Sequence, residues 1–277
     1  MASLSDTPPS PPWHFVDLAI QSLQARSLGE GIRVAVLDSG VARVDGLFAS
    51  LRSLTPSGAP SADVDDVGHG TMCASLIASS NPGAPGIAPA VDVISLRVMA
   101  GGAPIEKLVR DALHTAVASG CHVVSCSFTL SQAEQATLDA IRDASNQGIV
   151  IVAASGNDPG VVSAFPERTP NVLVVGPYGH DREPLQSRFG AFTDVLAPGV
   201  DLPVITTDGT PATFGESSGA AAVVSGVVAL VLAATRAHGT ARVGLALEGL
   251  CKSTAISSGG VRLLDPDRLL HAAQQLP

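Results

Sequence analysis

The sequence predicts an α/β fold, a mostly parallel central sheet covered by helices on both faces. Three observations carry that prediction. Short apolar runs rich in β-branched residues, such as 34–37 and 149–153, are apolar throughout rather than alternating, the pattern of strands buried on both sides. Segments of helix length separate these runs, as parallel strands with crossover connections require. The composition agrees: 45% hydrophobic, 15% charged and only 3% aromatic residues, in a chain of 277 that is ample for one domain with a sizeable core.

The predicted elements follow in order. Residues 1–12 are rich in Ser and Pro and read as a flexible arm, leaving 13–277 as a single folded domain. In residues 31–40, GIRVAVLDSG, an apolar run ends in Asp38 and Gly40, a buried strand stopping at a turn. Residues 55–66 carry Ser, Pro, Gly and Asp and read as a surface loop, and a helix is expected from GHGTMCASLIAS at 68–79. After a Gly/Pro turn at 81–89 comes a strand at 91–99. Ile105, Leu108, Val109, Ala112, Leu113, Ala116 and Val117 then fall on one face of an amphipathic helix. A strand at 122–128, a helix at 132–147 and strands at 149–155 and 171–176 repeat the alternation. The most apolar segment, residues 220–234, carries Ser225 and Gly226. It falls short of the ~18 uninterrupted apolar residues of a membrane span and reads as a buried core helix.

Charge and cysteines narrow the function classes. The net charge of −9 comes with no basic stripe, which argues against a nucleic-acid partner, and no membrane partner is expected. Cys73, Cys121, Cys126 and Cys251 lack metal-site spacing. Cys121 and Cys126, an odd number of residues apart on a predicted strand, point to opposite faces and are not expected to bridge. Free, buried thiols are the expectation, consistent with a reducing compartment. The N-terminus shows no basic region followed by an apolar run, so no signal peptide is read there and the expected location is cytoplasmic.

In an open α/β sheet, ligands bind beyond the carboxyl ends of the strands. Asp38 ends the first strand, Asn157 follows the strand at 149–155, and Ser218 lies near the start of the long apolar helix. Seen singly, the Asp and Asn are turn formers, and Ser217 and Ser218 are helix caps. Together with their flanks they resemble the subtilisin-like protease family. VAVLDSGV resembles its catalytic-Asp strand, GHGTMCASLIA its catalytic-His helix with His69 in the role, and VIVAASGND its oxyanion-hole segment. ESSGAAAVVSGVVAL resembles the nucleophile helix, with Ser218 as the match. Supporting similarity runs through SLRVM, VVSCSF, FPERTPNVLVVG and SRFGAFTDVLAPG, covering roughly residues 20–270 in the family's order.

The resemblance implies the subtilisin-like three-layer fold and a serine endopeptidase acting through an acyl-enzyme intermediate. Catalysis would fall to Asp38, His69 and Ser218, with Asn157 completing the oxyanion hole. The chemistry explains these residue types: a serine hydroxyl needs an adjacent base, the base needs an orienting carboxylate, and the oxyanion needs fixed donors. The nucleophile block departs from the family pattern: Glu216 stands for the usual Gly, Ser217 for Thr and Ala222 for Pro. Glu216 either disfavours the oxyanion or receives a basic group of the substrate. Gly219 is expected to open space on the leaving-group side. Two alternatives stay open. One is a catalytically inactive subtilase fold used for binding, which Glu216 motivates. The other is an esterase with Ser217 as nucleophile, because Gly215-Glu-Ser-Ser-Gly219 also fits the nucleophile elbow, with Asp265 or Asp267 and His271 downstream.

By the same resemblance, an extended peptide or protein substrate pairs with an edge strand spanning Val98, Met99, Ala100, Gly101 and Gly102, faced by Ser127, Phe128 and Thr129. Ala153, Ala154 and Ser155 would wall the primary pocket and Ala164 lie near its base, favouring an uncharged hydrophobic residue before the cleaved bond, with Thr129 narrowing the entrance. Asp63, Asp65 and Asp66 read as a solvated acidic loop, with a preference for basic substrate residues as the functional alternative. No cofactor is needed for the chemistry; a structural calcium is compatible with the family, and the sequence does not identify its ligands. Neither a secretion signal nor a folding prodomain fits ahead of Asp38, so the expectation is either a protein that folds unaided inside the cell or a catalytic domain expressed separately. Its expected role is to process a dedicated precursor or leader peptide, with general protein turnover as the rival role. The sequence leaves the oligomeric state open.

Overall fold

The computed structural model describes residues 10–56, 59–158, 163–167, 169–185, 192–236, 239–258 and 261–276. The expected arm at 1–12 therefore lies outside the described residues except for its last three. Two short helices, α1 (Trp13–Asp17) and α2 (Ile20–Gln24), precede β1 (Arg33–Asp38) and β2 (Ser50–Ser53). Then come α3 (His69–Ala78), β3 (Asp92–Arg97), the two-residue strands β4 (Met99–Ala100) and β5 (Ala103–Pro104), α4 (Glu106–Ala118) and β6 (Val123–Cys126). The chain continues through α5 (Gln135–Asn146), β7 (Val150–Ala154), β8 (Val172–Tyr178), β9 (Val195–Pro198), β10 (Leu202–Ile205) and β11 (Pro211–Phe214). It ends with α6 (Glu216–Ala234), α7 (Thr240–Thr254), β12 (Ile256–Ser258), β13 (Val261–Leu263) and α8 (Pro266–Gln274).

Nine strands form one sheet in the order β12-β13-β9-β8-β7-β6-β1-β3-β2, parallel throughout except for the β12–β13 hairpin. Alternation along each strand sorts its side chains into two cores. Val34, Val36, Val93, Val123, Val152 and Ala154 face one core with α3 and α6, whereas Ala35, Leu37, Ile94, Leu96, Val124 and Ala153 face the other with α4 and α5. Each fully buried Val or Leu contributes about 1.5–3 kcal/mol, so a sheet apolar on both sides is stable only as the middle of three layers. The three-layer expectation holds. So does the reading of α6, which is long and apolar enough to cross a membrane but lies 83% buried at the centre of the fold. The four cysteines are free and buried.

Topology positions the site. From β1 the chain goes out to β2 and β3 on one side, then returns to β6 and proceeds through β7, β8 and β9 on the other. β1 thus stands at the switch point, where the connections diverge and leave a crevice at the strand ends. Asp38 ends β1, Ser127 follows β6 and Asn157 follows β7. Gly70, in the first turn of α3, lets that helix close on β1, since a Cβ there would meet the Gly40 carbonyl oxygen at 2.1 Å.

Candidate active site

Asp38 is 1% exposed and its Oδ1 accepts from the Ser39 N–H at 2.7 Å and from His69 Nδ1 at 2.8 Å. The second oxygen, Oδ2, has no partner among the described residues. Behind this pair stands Asp65, a buried carboxylate. Its Oδ1 accepts from the Ser39 hydroxyl at 2.8 Å and the Gly68 N–H at 2.7 Å, its Oδ2 from the Thr71 N–H at 2.8 Å and hydroxyl at 2.6 Å. Asp65 therefore ties the turn after β1 to the start of α3, the two places from which Asp38 and His69 project. The acidic loop divides: Asp65 is buried, whereas Asp63 and Asp66 are exposed as a solvated loop would be, Asp66 accepting from Arg97 Nη2 through both oxygens at 2.8 Å and Asp63 lying 4.0 Å from Arg43.

His69 opens α3 behind Gly68, whose φ of +86° suits glycine. Cys73 lies one turn on, its Sγ 3.8 Å from His69 Nδ1. A charge on Cys73 and the charge on the Asp38 carboxylate would each raise the His69 pKa, while burial opposes them. Burial in turn pushes the Cys73 thiol up. At neutral pH that sulfur is an uncharged thiol, so Asp38 is the charge that favours the imidazolium. Donor atoms of Asp38, His69 and Cys73 lie within 4.8 Å of one another, the group among the described residues able to hold a metal ion.

Ser218 is the third residue of α6, its hydroxyl donating to the Ser127 carbonyl at 3.2 Å rather than to His69. Rotation about one side-chain bond frees it, and catalytic hydrogen bonds tighten when substrate binds. Its N–H belongs to the first turn of α6, where amides lack intrahelical acceptors and the helix dipole favours negative charge. Asn157 Oδ1 accepts from the Ser217 N–H at 3.1 Å and the Ser217 hydroxyl at 2.6 Å. That fixes the amide with its oxygen on Ser217 and its NH₂ directed away, free to donate. Ser217 stands where the family pattern has Thr and keeps its hydroxyl; its role in orienting Asn157 becomes visible only in three dimensions. Its hydroxyl is committed to Asn157 and Asp265 caps α8 by accepting from Arg268 N–H, so the esterase arrangement finds no support here.

One cleft of about 670 Å³ gathers His69, Asn157 and Ser218 with Leu185, Val200, Asp201, Phe214 and Glu216. The sequence model of the subtilase family matches residues 29–267. The chain belongs to the subtilase family. It is 33% identical over 228 residues to the M-protease of Shouchella clausii, a match covering 80% of this chain and 60% of that protein. It is 32% identical over 228 residues to Subtilisin Savinase of Lederbergia lenta, covering 80% and 84%. The chain thus spans less than two thirds of the M-protease. The solved structure of MycP1 from Mycobacterium smegmatis superimposes with a TM-score of 0.77 at 25% identity, covering 96% of this chain and 86% of that one.

Within this subtilase, the substrate-binding expectations fare unevenly. Val98 is not available to a peptide: its N–H donates to the Asp38 carbonyl and its own carbonyl accepts from Ile105, both at 2.8 Å. Met99 and Ala100 pair with Pro104 and Ala103 in a small hairpin, with Gly101 and Gly102 at its tip. Ala153 and Ala154 are 0% and 1% exposed and face opposite cores, so neither side chain walls a pocket. Ser155 is also buried and its N–H continues the ladder to Val175. Ser127 touches the nucleophile through two reciprocal 3.2 Å bonds. Phe128 packs on Phe165 with ring centroids 5.7 Å apart, and Ala164 N–H donates to Leu130 beyond partly exposed Thr129. Gly219 opens no space: a Cβ there would meet Leu202 Cδ1 at 2.8 Å, so Leu202 fills the volume. Within the motif SRFGAFTDVLAPG, residues 187–191 lie outside the described residues, as does Arg168 of FPERTPNVLVVG.

Proposed function

We propose that this chain is a serine endopeptidase that cleaves an extended peptide or protein substrate through Asp38, His69 and Ser218. The observation that carries the reading is the convergence of His69, Asn157 and Ser218 on one cleft, with Asp38 buried 2.8 Å behind the imidazole. Ser218 Oγ attacks the scissile carbonyl as His69 Nε2 takes its proton; Asp38 holds the Nδ1–H tautomer and stabilises the imidazolium. The oxyanion accepts from the Asn157 NH₂ and the Ser218 N–H. Collapse expels the amine with a proton from His69, and water then hydrolyses the acyl-enzyme by the same relay. Every step runs through the chain's own groups. The finer reading is an intracellular enzyme dedicated to one precursor or leader peptide; its support is the altered nucleophile block, where a carboxylate at Glu216 narrows what the cleft accepts.

The test is labelling with a serine-reactive fluorophosphonate, comparing wild type with Ser218→Ala and Ser217→Ala. Wild type and Ser217→Ala should label, and Ser218→Ala should not. A folded wild type that refuses the probe would favour a binding protein on a subtilase scaffold. Label lost in Ser217→Ala but kept in Ser218→Ala would restore the esterase reading.

A further inference from the structure

The cleft that holds His69, Asn157 and Ser218 lies on one particular side of the nucleophile. Ser127, Phe128, Thr129, Ala153, Ala154 and Ser155, at the ends of β6 and β7, are not part of its wall. His69 is, and the Phe214 ring meets the imidazole edge-on with centroids 5.3 Å apart. In the proposed reaction His69 delivers the proton to the departing amine. The residue following the cleaved bond must therefore lie in this cleft, between His69, Phe214 and the start of α6.

The lining has two chemical parts. Leu185, Val200 and Phe214 supply apolar wall, while Glu216 and Asp201 supply carboxylates, and no Lys or Arg is among the described lining residues. Asp201 is already paired with His180 at 3.2 Å. Glu216 is exposed and its carboxylate has no hydrogen-bond or ion-pair partner among the described residues. Its backbone is anchored at the cleft, with φ +59° and its N–H donating to Gly199 at 2.6 Å, two residues before Ser218. Apolar wall beside a carboxylate unpaired among the described residues fits a long aliphatic stem with a cationic head. An acidic side chain there would meet like charge.

We propose that Glu216 is a specificity-determining residue that selects Lys or Arg immediately after the cleaved bond. This inference rests on the serine endopeptidase reading and names its substrate class. The test is cleavage of internally quenched peptides that share Leu or Phe before the scissile bond and differ only in carrying Lys, Arg, Gln or Glu after it. Wild type should favour the basic residues about fivefold in kcat/KM over Gln, and further over Glu, with the preference shrinking at high salt. Glu216→Gln, which keeps the size, and Glu216→Gly, which suits the backbone angle, should both flatten the ranking. A basic preference unchanged in both variants would overturn the proposal while leaving the protease reading intact, as would a wild type that cleaves all four peptides equally. A wild type that neither cleaves nor takes the fluorophosphonate would sink the protease reading, and this proposal with it.

Discussion

Asp38 and His69 stand in a buried polar network on one side of the site, whereas Ser218 and Asn157 stand on the other, held by backbone at the mouth of the cleft. On the first side, Ser39, Gly68 and Thr71 all donate to the Asp65 carboxylate, and Ser39 and His69 donate to Asp38 Oδ1. On the second, the Asn157 side chain has one hydrogen-bond partner among the described residues, Ser217, and the lead-in to Ser218 passes through a left-handed Glu216. The departures from the family pattern at Glu216 and Ser217 fall on the second side. Buried charged groups tolerate little change because each lost partner leaves another group desolvated and unpaired. A surface turn accepts a new side chain at the cost of local strain, so specificity changes accumulate there.

The largest expected effect tests the first side. Asp38→Asn keeps the shape but removes the charge that orients His69, and kcat should fall about 10⁴-fold. The pH profile sharpens the point. Catalysis needs neutral His69, and Asp38 raises its pKa, so kcat/KM should climb through an acid limb above the ordinary imidazole value of about 6.5. Asp38→Asn should move that limb down. Cys73→Ala should leave it in place, because the buried thiol is uncharged at neutral pH. A limb that followed Cys73 instead would show a thiolate beside the histidine and break this account of the network.

Next in size is Asp65→Ala, which removes the shared acceptor of Ser39, Gly68 and Thr71. A loss of about 3 kcal/mol is expected, read from the denaturant midpoint at unchanged m-value. A loss near zero would mean that the two sides are not held differently after all.

Much of this was legible in the sequence, for physical reasons that differ by element. β1, β3, β6, β7 and β8 are buried on both faces, so their largely apolar runs, broken at positions such as Ser95, Arg97 and Ser125, announced them. Asp38 and Asn157 were placed because strand ends are where such sheets bind ligands. β2, with the mixed sequence SLRS at the sheet edge, carries no such signal, and the β10–β11 hairpin was overlooked although Asp208-Gly209 marks its turn. α5 begins at Gln135 rather than 132, with Glu134 as its N-cap residue. Val98 and Gly219 failed for one shared reason: a resemblance transfers a position along the chain, but not what its backbone already bonds or which side chain has moved into its space.

The second side is tested by two smaller changes. Ser217→Ala should lower kcat about tenfold with KM nearly unchanged, since Asn157 loses its tighter anchor but keeps the Ser217 N–H. Ser217→Thr should restore it, whereas Asn157→Ala should cost about 10²–10³.

The smallest effect is one of stability. At Glu216 the φ of +59° sets Cβ against the following carbonyl, a strain of about 1–2 kcal/mol that glycine does not feel. Glycine also has more freedom to lose on folding, by about 0.5–1 kcal/mol, which offsets part of the relief. Glu216→Gly should therefore stabilise the fold by up to about 1 kcal/mol, seen as a small rise in Tm. The same variant that flattens the preference for a basic residue would then be the more stable one, the expected sign for a residue kept for recognition rather than for folding. A destabilised Glu216→Gly would reverse that inference and make Glu216 part of what holds the start of α6 in place.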